Sequence, residues 1–560
     1  MKGERGDIRR GAGSRRGFII LILLVAACAT SVFAADVDTL RKAIEKSGDD
    51  TERALLYKDL GDLYVSGEDY SSAADAYQKA LSLSGYAFTP GEKTTMAVYL
   101  SWAGRLKEAE NVLNLVLSEN PAYTEARVQL ARVLSWSGRN DEAIKELNLV
   151  LSENPAHAGA RVQLARVLSW SGRNDEAIKE ADRVLKDHPG RRDPLLIKAN
   201  AMRWKGENTK ATPIYEQLLQ EEENFDARLG LTYTYLSNGY VKKARESFHL
   251  LKPKTGRQEK EFKKLSLEMI RETRPNLEPK FSFYKDTDGS KLYRYALSYN
   301  SRSDRWKTSI HLRHTDARDA TRNNRAEDLW AKSYGKVSDS LSAGGGLGLT
   351  QLGDGNTSHF GTGHIRGDYN IWKGKIGASL SRDVFSETAQ LIENRIRFTD
   401  AGIYLFQNLS ERLSIILRYN YRDFSDENSA NSLQLGPKYD LYRGKWRLSA
   451  GVRLRYVDYK RQSGSGYFDP NNFKSSQFFL SFFTDADRYY LYLEPYFGSQ
   501  SFERYGEKTD KTFGGATGSV GFKLTERLQV ELNGEGGDYA LASSSGFRYY
   551  LIGFSVNFYF

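Results

Sequence analysis

Residues 127–146 and 161–180 are the same string, RVQLARVLSWSGRNDEAIKE, offset by 34 positions. LNLVLSENPA occurs at 113–122 and again at 147–156, and Trp102, Trp136, Trp170 and Trp204 recur at the same interval, as do Gly104, Gly138, Gly172 and Gly206. A fixed period of this length means a stack of supersecondary units, each burying an apolar face against its neighbour. Within one unit, Leu130, Ala131 and Leu134 form a helical stripe, and Gly138 suits a left-handed helix end. Ala143 is small where two helices would cross, Leu147 and Leu151 continue the stripe on the second helix, and Pro155 closes the unit.

This helix–turn–helix period resembles the tetratricopeptide repeat (TPR). Residues 60–81 fit it through Leu60, Gly61, Tyr64, Ala73, Tyr77 and Ala80, and about six units run from 54 to 256, with degenerate ends. The resemblance implies a binding scaffold in which one face of each first helix lines a groove. Trp102, Trp136, Trp170 and Trp204 fall on that face, with Arg132 and Arg166 one turn earlier. Two readings stay open: an indole and guanidinium ladder for a glycan or extended peptide, or indoles packed on the next repeat.

From about residue 278 the period changes from 3.6 to 2. Trp306, Thr308, Ile310 and Leu312 alternate with Arg305, Lys307, Ser309, His311 and Arg313. The pattern returns at 412–422, where Leu413, Ile415, Leu417, Tyr419 and Tyr421 oppose Arg412, Ser414, Arg418, Asn420 and Arg422. It returns again at 446–456 and at 550–560. Strands of about ten residues, apolar outside and polar inside, mark a transmembrane barrel. Short polar turns at 300–304, 338–340, 373–375, 410–412, 443–445, 485–488 and 525–527 give eight hairpins, hence about 16 strands. The longer, outward loops are expected near 314–325, 459–474 and 500–512.

The fold class expected is therefore α + β in two domains: an N-terminal α-solenoid followed by a transmembrane antiparallel β-barrel. Residues 1–34 read as a signal peptide, 35–256 as a periplasmic repeat domain, 257–277 as a helical linker and 278–560 as the outer-membrane barrel. In the leader, Arg9, Arg10, Arg15 and Arg16 precede an apolar run, Val32-Phe33-Ala34 resembles a cleavage site, and Arg15-Arg16 resembles a twin-arginine signal. Val25-Ala26-Ala27-Cys28 offers the alternative of a lipidated Cys28. That is the one cysteine in 560 residues, which excludes disulfides within the chain and cysteine–metal chemistry.

The order of leader, repeats and tyrosine-rich barrel resembles the YaiO family of outer-membrane proteins. More distantly it resembles the TPR–barrel exporters of exopolysaccharides. The last strand, ending in Phe560, resembles the signal read by the barrel-assembly machinery. These resemblances imply outer-membrane lipid and that machinery as partners, with a glycan polymer or a periplasmic protein at the repeat groove. Nothing points to nucleic acid.

No HExxH, GxxxxGK[ST] or cysteine cluster is present, so neither an enzyme, a cofactor nor a metal is expected. His311 and His314 fall on opposite faces of one strand, and Gly344-Gly345-Gly346-Leu347-Gly348 reads as strand glycine that makes room for neighbours. The expected lumen wall is basic: Arg294, Arg305, Lys307, Arg313, Arg418, Arg447, Arg453 and Arg455, with Glu494, Glu531 and Glu535 available to pair with some of them. The functional expectation is a channel that exports an anionic or neutral polysaccharide. The alternative is a non-conducting anchor whose repeats assemble envelope proteins and whose loops act as receptor or adhesin.

Overall fold

A recurring hydrogen-bonded turn sets the shape of each helical hairpin. Gly138 adopts φ +82°, a conformation that a Cβ disfavours, and Arg139 N–H reaches back to Leu134 O at 2.9 Å. The same closure follows Gly104, Gly172 and Gly206, where Arg105, Arg173 and Glu207 donate to Leu100, Leu168 and Met202. The computed structural model describes residues 35–83, 86–353, 357–538 and 548–560. The leader, with its arginines, both cleavage sites and Cys28, lies outside them.

Among the described residues, helix α1 (35–46) precedes six hairpins. They are α2 (Asp50–Ser66) with α3 (Tyr70–Ser82), α4 (Pro90–Trp102) with α5 (Leu106–Glu119), and α6 (Thr124–Trp136) with α7 (Asn140–Glu153). Then follow α8 (Ala158–Trp170) with α9 (Asn174–Asp187), α10 (Arg192–Trp204) with α11 (Asn208–Glu221), and α12 (Phe225–Asn238) with α13 (Val241–His249). Helix α14 (Gly256–Thr273) ends the series. Ala131, Ala143 and Leu147 are fully buried where helices meet. Arg127 pairs with Glu146 at 2.6 Å, and Arg161 with Glu180 at 2.6 Å one repeat later. The duplicated string thus repeats contacts as well as elements.

The chain divides into two compact units between Glu221 and Glu222. Helices α12 to α14 belong to the second unit, so the boundary falls earlier than the change of period suggests. Gly239 O accepts from Arg305 N–H at 2.8 Å, and the Arg305 guanidinium donates to Tyr240 Oη at 2.6 Å while lying 4.6 Å from its ring centre. Lys336 Nζ donates to Ser237 O at 2.9 Å, and Glu272 pairs with Arg302. The span 257–277, expected as a helical linker, is largely the helix α14, and it is held against the first barrel strands.

Sixteen antiparallel strands close into one barrel, with each strand paired to its neighbours in sequence and the last to the first. They are β1 (Asn276–Asp286), β2 (Lys291–Ser303), β3 (Trp306–Arg318), β4 (Asn323–Lys336), β5 (Leu341–Gly353), β6 (Thr357–Ile371), β7 (Gly374–Val384) and β8 (Arg397–Asn408). The second half comprises β9 (Leu413–Phe424), β10 (Ser429–Arg443), β11 (Trp446–Tyr459), β12 (Asn471–Asp485), β13 (Tyr489–Arg504), β14 (Glu507–Lys523), β15 (Leu528–Gly537) and β16 (Tyr549–Tyr559). Closure leaves no unpaired edge, the condition for β-structure in lipid. Leu417, Tyr419 and Tyr421 are exposed on the outside, whereas Arg418 and Asn420 line an interior cavity. Among the described residues no helix is long and apolar enough to cross a membrane.

All seven expected turns join consecutive strands. Val337, Leu409 and Leu524 each donate to the leucine four residues on, at 2.9, 2.9 and 3.0 Å, so VSDSL at 337–341, LSERL at 409–413 and LTERL at 524–528 form one turn geometry. At the opposite end two expectations need correction. Most of 314–325 belongs to β3 and β4, and 500–512 is the tip of the β13–β14 hairpin with only Tyr505-Gly506 between strands. Polar sequence there reads as loop, but a strand that projects beyond lipid needs no apolar face. The β7–β8 connection, 385–396, was not anticipated and carries helix α15 (Ala389–Glu393).

Candidate functional site

The lumen is chemically two-sided. On β6 to β12, Arg366, Arg418, Arg422, Arg453 and Arg455 line one cavity of ≈ 600 Å³ with Asp400, Asn420 and Gln434. A second of ≈ 910 Å³ contains Lys438, Arg443 and Arg447. Some of this charge is compensated: Arg422 pairs with Asp400 at 2.8 Å, Arg366 with Asp368 at 3.0 Å, and Arg313 with Asp328 at 2.8 Å. Arg418 and Arg447 form no ion pair among the described residues. Arg294 faces the same interior, near Arg313 and Glu387. Lys307 pairs with Glu272 of α14 at 3.4 Å.

The remaining arc, β13 to β16 with β1, presents tyrosine and glutamate. Tyr490 donates to Glu531, Tyr492 to Glu494 at 2.6 Å, and Tyr549 to Glu535 at 2.5 Å. Only Glu494 also takes an arginine, Arg453 at 2.6 Å, whose guanidinium lies 4.0 Å from the Phe479 ring centre. Glu531 and Glu535, expected to meet the basic wall, are instead held by neighbouring tyrosines. Of the eight residues expected on the wall, Arg305 alone lies outside the strands, in the β2–β3 turn against Tyr240. Arg422 shares the polar face of β9 with Arg418 and joins the wall beside it, whereas Arg366 lies on β6, whose glycines break the apolar alternation that would have marked it.

At the loop end, α15 stands across the bore. Leu391, with Phe385 and Ile396, joins an apolar cluster containing Phe424, Val457, Tyr467 and Phe502. Ala389 and Ile392 join another with Tyr284, Leu292, Leu352 and Tyr549. The two clusters use inner-face residues from both halves of the barrel, so this short helix bridges the walls. The β11–β12 loop packs beside it: Gln390 donates to Gly464 O at 3.3 Å and Asn394 to Ser465 O at 2.8 Å. Asn324 holds Ala389 O at 2.8 Å, and Tyr467, fully buried, donates to Asp426 at 2.9 Å.

In the helical unit, Trp102, Trp136, Trp170 and Trp204 are the last residues of α4, α6, α8 and α10. Each exposes between 39% and 48% of its surface, so each indole is partly covered by its neighbours and partly open to solvent. Arg166 lies 3.9 Å from Asp193, and burial together with the Arg166 charge lowers the pKa of Arg132. Among the described residues no group of three or more potential metal ligands occurs.

The helical half matches a known family. Residues 103–152 and 149–200 each match the tetratricopeptide repeat model. The helices across these residues, α5 to α10, carry tetratricopeptide repeats. No curated protein matches the chain. Among solved structures, a bacterial polysaccharide outer membrane secretin is 12% identical, at TM-score 0.43, over 51% of this chain and 99% of its own. A tetratricopeptide repeat protein from Parabacteroides merdae is 18% identical, at TM-score 0.38, over 42% of this chain and 93% of its own. One from Thermus thermophilus is 21% identical, at TM-score 0.30, over 32% and 100%. With TM-scores below 0.5, none of these likenesses bears on what the array or the barrel does.

Proposed function

We propose that this chain is an outer-membrane channel for an anionic polysaccharide, closed at its outer mouth by α15, with the repeat array in the periplasm. The observation that carries the reading is the arginine-rich arc inside a sixteen-stranded barrel, above all Arg418 and Arg447, which no carboxylate neutralises among the described residues. A barrel of this strand number is wide enough for an aqueous bore. Fixed positive charge on its wall lowers the barrier to carboxylates and raises their local concentration. The apolar outer face gives the barrel its lipid, Phe560 closes the strand offered to the assembly machinery, and the turns that meet α12 to α14 face the periplasm. The residues supply a wall and a gate, with no catalytic role assigned to any of them. Leader, repeats and barrel occur in the order that resembles the YaiO family.

The bridging of the walls by α15 favours a second reading, an anchor that conducts nothing and displays the array and the loops to partners. Reversal potentials in a salt gradient separate the two. A variant with 386–395 replaced by a glycine–serine linker is expected to conduct and to prefer anions, and adding Arg418→Gln and Arg447→Gln should move the reversal potential toward zero. A silent linker variant overturns the channel and leaves the anchor.

A further inference from the structure

The four tryptophans of the array are absorbed by neither reading of the barrel. Large aromatic side chains are highly buried on average, and an exposed, regularly repeated set is the informative exception. Each indole follows the same helix and precedes the same glycine closure, so each projects from its repeat in the same way. The helices that bear them pack against one another in series, α4 on α6, α6 on α8 and α8 on α10, which spaces the indoles by about one interhelical distance, roughly 8–10 Å. The row has firm ends. Trp102 meets Tyr70 and Tyr99 edge-on, at 5.4 and 5.3 Å between ring centres, and Arg203 lies 5.4 Å from the Trp204 ring.

Two cations sit within the row. Arg132 and Arg166 lie one turn before Trp136 and Trp170, and the facing acids are Glu125 and Asp193. Arg132 and Arg166 stand near enough for each charge to act on the other, so a carboxylate on this face meets positive charge from two successive repeats. The two stations are built from one duplicated string, 127–146 and 161–180. Identical stations in series match a ligand whose own chemistry repeats, and a peptide of defined sequence does not offer each station the same group. A flat indole covers the C–H face of a sugar ring, and an adjacent guanidinium takes a carboxylate in two parallel hydrogen bonds.

We propose that the face formed by α4, α6, α8 and α10 is a binding site for a linear uronate-bearing polysaccharide, with Trp136 and Trp170 as ring platforms and Arg132 and Arg166 as carboxylate ligands. It rests on the channel reading only in taking the same class of polymer; the site itself is separate from the lumen.

Full-length protein in detergent micelles, titrated with an oligogalacturonate and followed by calorimetry and tryptophan fluorescence, tests it. Binding is expected, weaker by at least tenfold in Trp136→Ala/Trp170→Ala and in Arg132→Gln/Arg166→Gln, and unchanged in Lys145→Gln, an exposed position on α7 outside both the ladder and the lumen. Circular dichroism checks the fold of each variant, with Trp136→Phe/Trp170→Phe, expected to bind at an intermediate level, as the milder substitution. A neutral maltooligosaccharide of equal length should bind more weakly. Absence of binding overturns the proposal, as does an oligoglutamate binding as well as the uronate, which would mark a peptide site. Binding lost in Arg418→Gln/Arg447→Gln but kept in the ladder variants also overturns it. Block of ion current by the same oligogalacturonate reads the lumen alone, so the channel can fail while the ladder stands.

Discussion

Single residues govern how each repeat ends. A Cβ at Gly138 would meet nothing within 4 Å, so Gly138→Ala carries only the conformational cost of φ +82°. Thermal unfolding should show a loss of about 1 kcal/mol, and Gly138→Asn should recover much of it. At α4, Thr89 N–H donates to Glu92 at 2.9 Å while Thr89 Oγ1 accepts from Glu92 N–H at 3.3 Å, which caps the helix reciprocally. The Thr89 N–H and the Thr89 hydroxyl, which donates to the same carboxylate at 2.8 Å, hold the Glu92 carboxyl below its ordinary value of 4.5. The folded pKa is the lower one, so the carboxylate's contribution is complete above pH 4.5 and is lost as pH falls through the depressed value. Glu92→Gln should therefore flatten the acid side of the stability profile and leave neutral pH less affected. The repeat residues were legible because each recurs; Arg305 was not, since alternation alone cannot say where a strand stops and a turn begins.

Elements show where sequence period suffices and where it does not. Strand parity found the faces of β3, β9, β11 and β16, and the seven turns gave the strand number, because a pleat permits one alternation only. The Tyr490–Glu531 and Arg453–Glu494 contacts each join residues 41 apart, so they follow from register, which alternation leaves open. Helix α15 is five residues long, too short for any periodicity, and its apolar residues gain meaning only once the barrel surrounds them. Leu391 is fully buried against aromatic rings. Leu391→Asp should therefore detach the helix from the wall, which limited proteolysis would read as faster cleavage within 385–396. Unchanged cleavage would mean that the loop is held elsewhere.

At the scale of the molecule, everything turns on a barrel whose apolar side faces lipid and whose charged side faces water. The fold class was readable from two periods, 34 and 2; the division between units was not, because α12 and α13 carry the repeat pattern yet group with the barrel. The most direct measurement places single cysteines along β9, in a Cys28→Ser background, and compares nitroxide access to oxygen and to a water-soluble nickel chelate in reconstituted bilayers. Positions 415, 417 and 419 should favour oxygen, and 416, 418 and 420 the chelate, in strict alternation. Equal chelate access along the whole strand would contradict the membrane-spanning barrel and, with it, the channel.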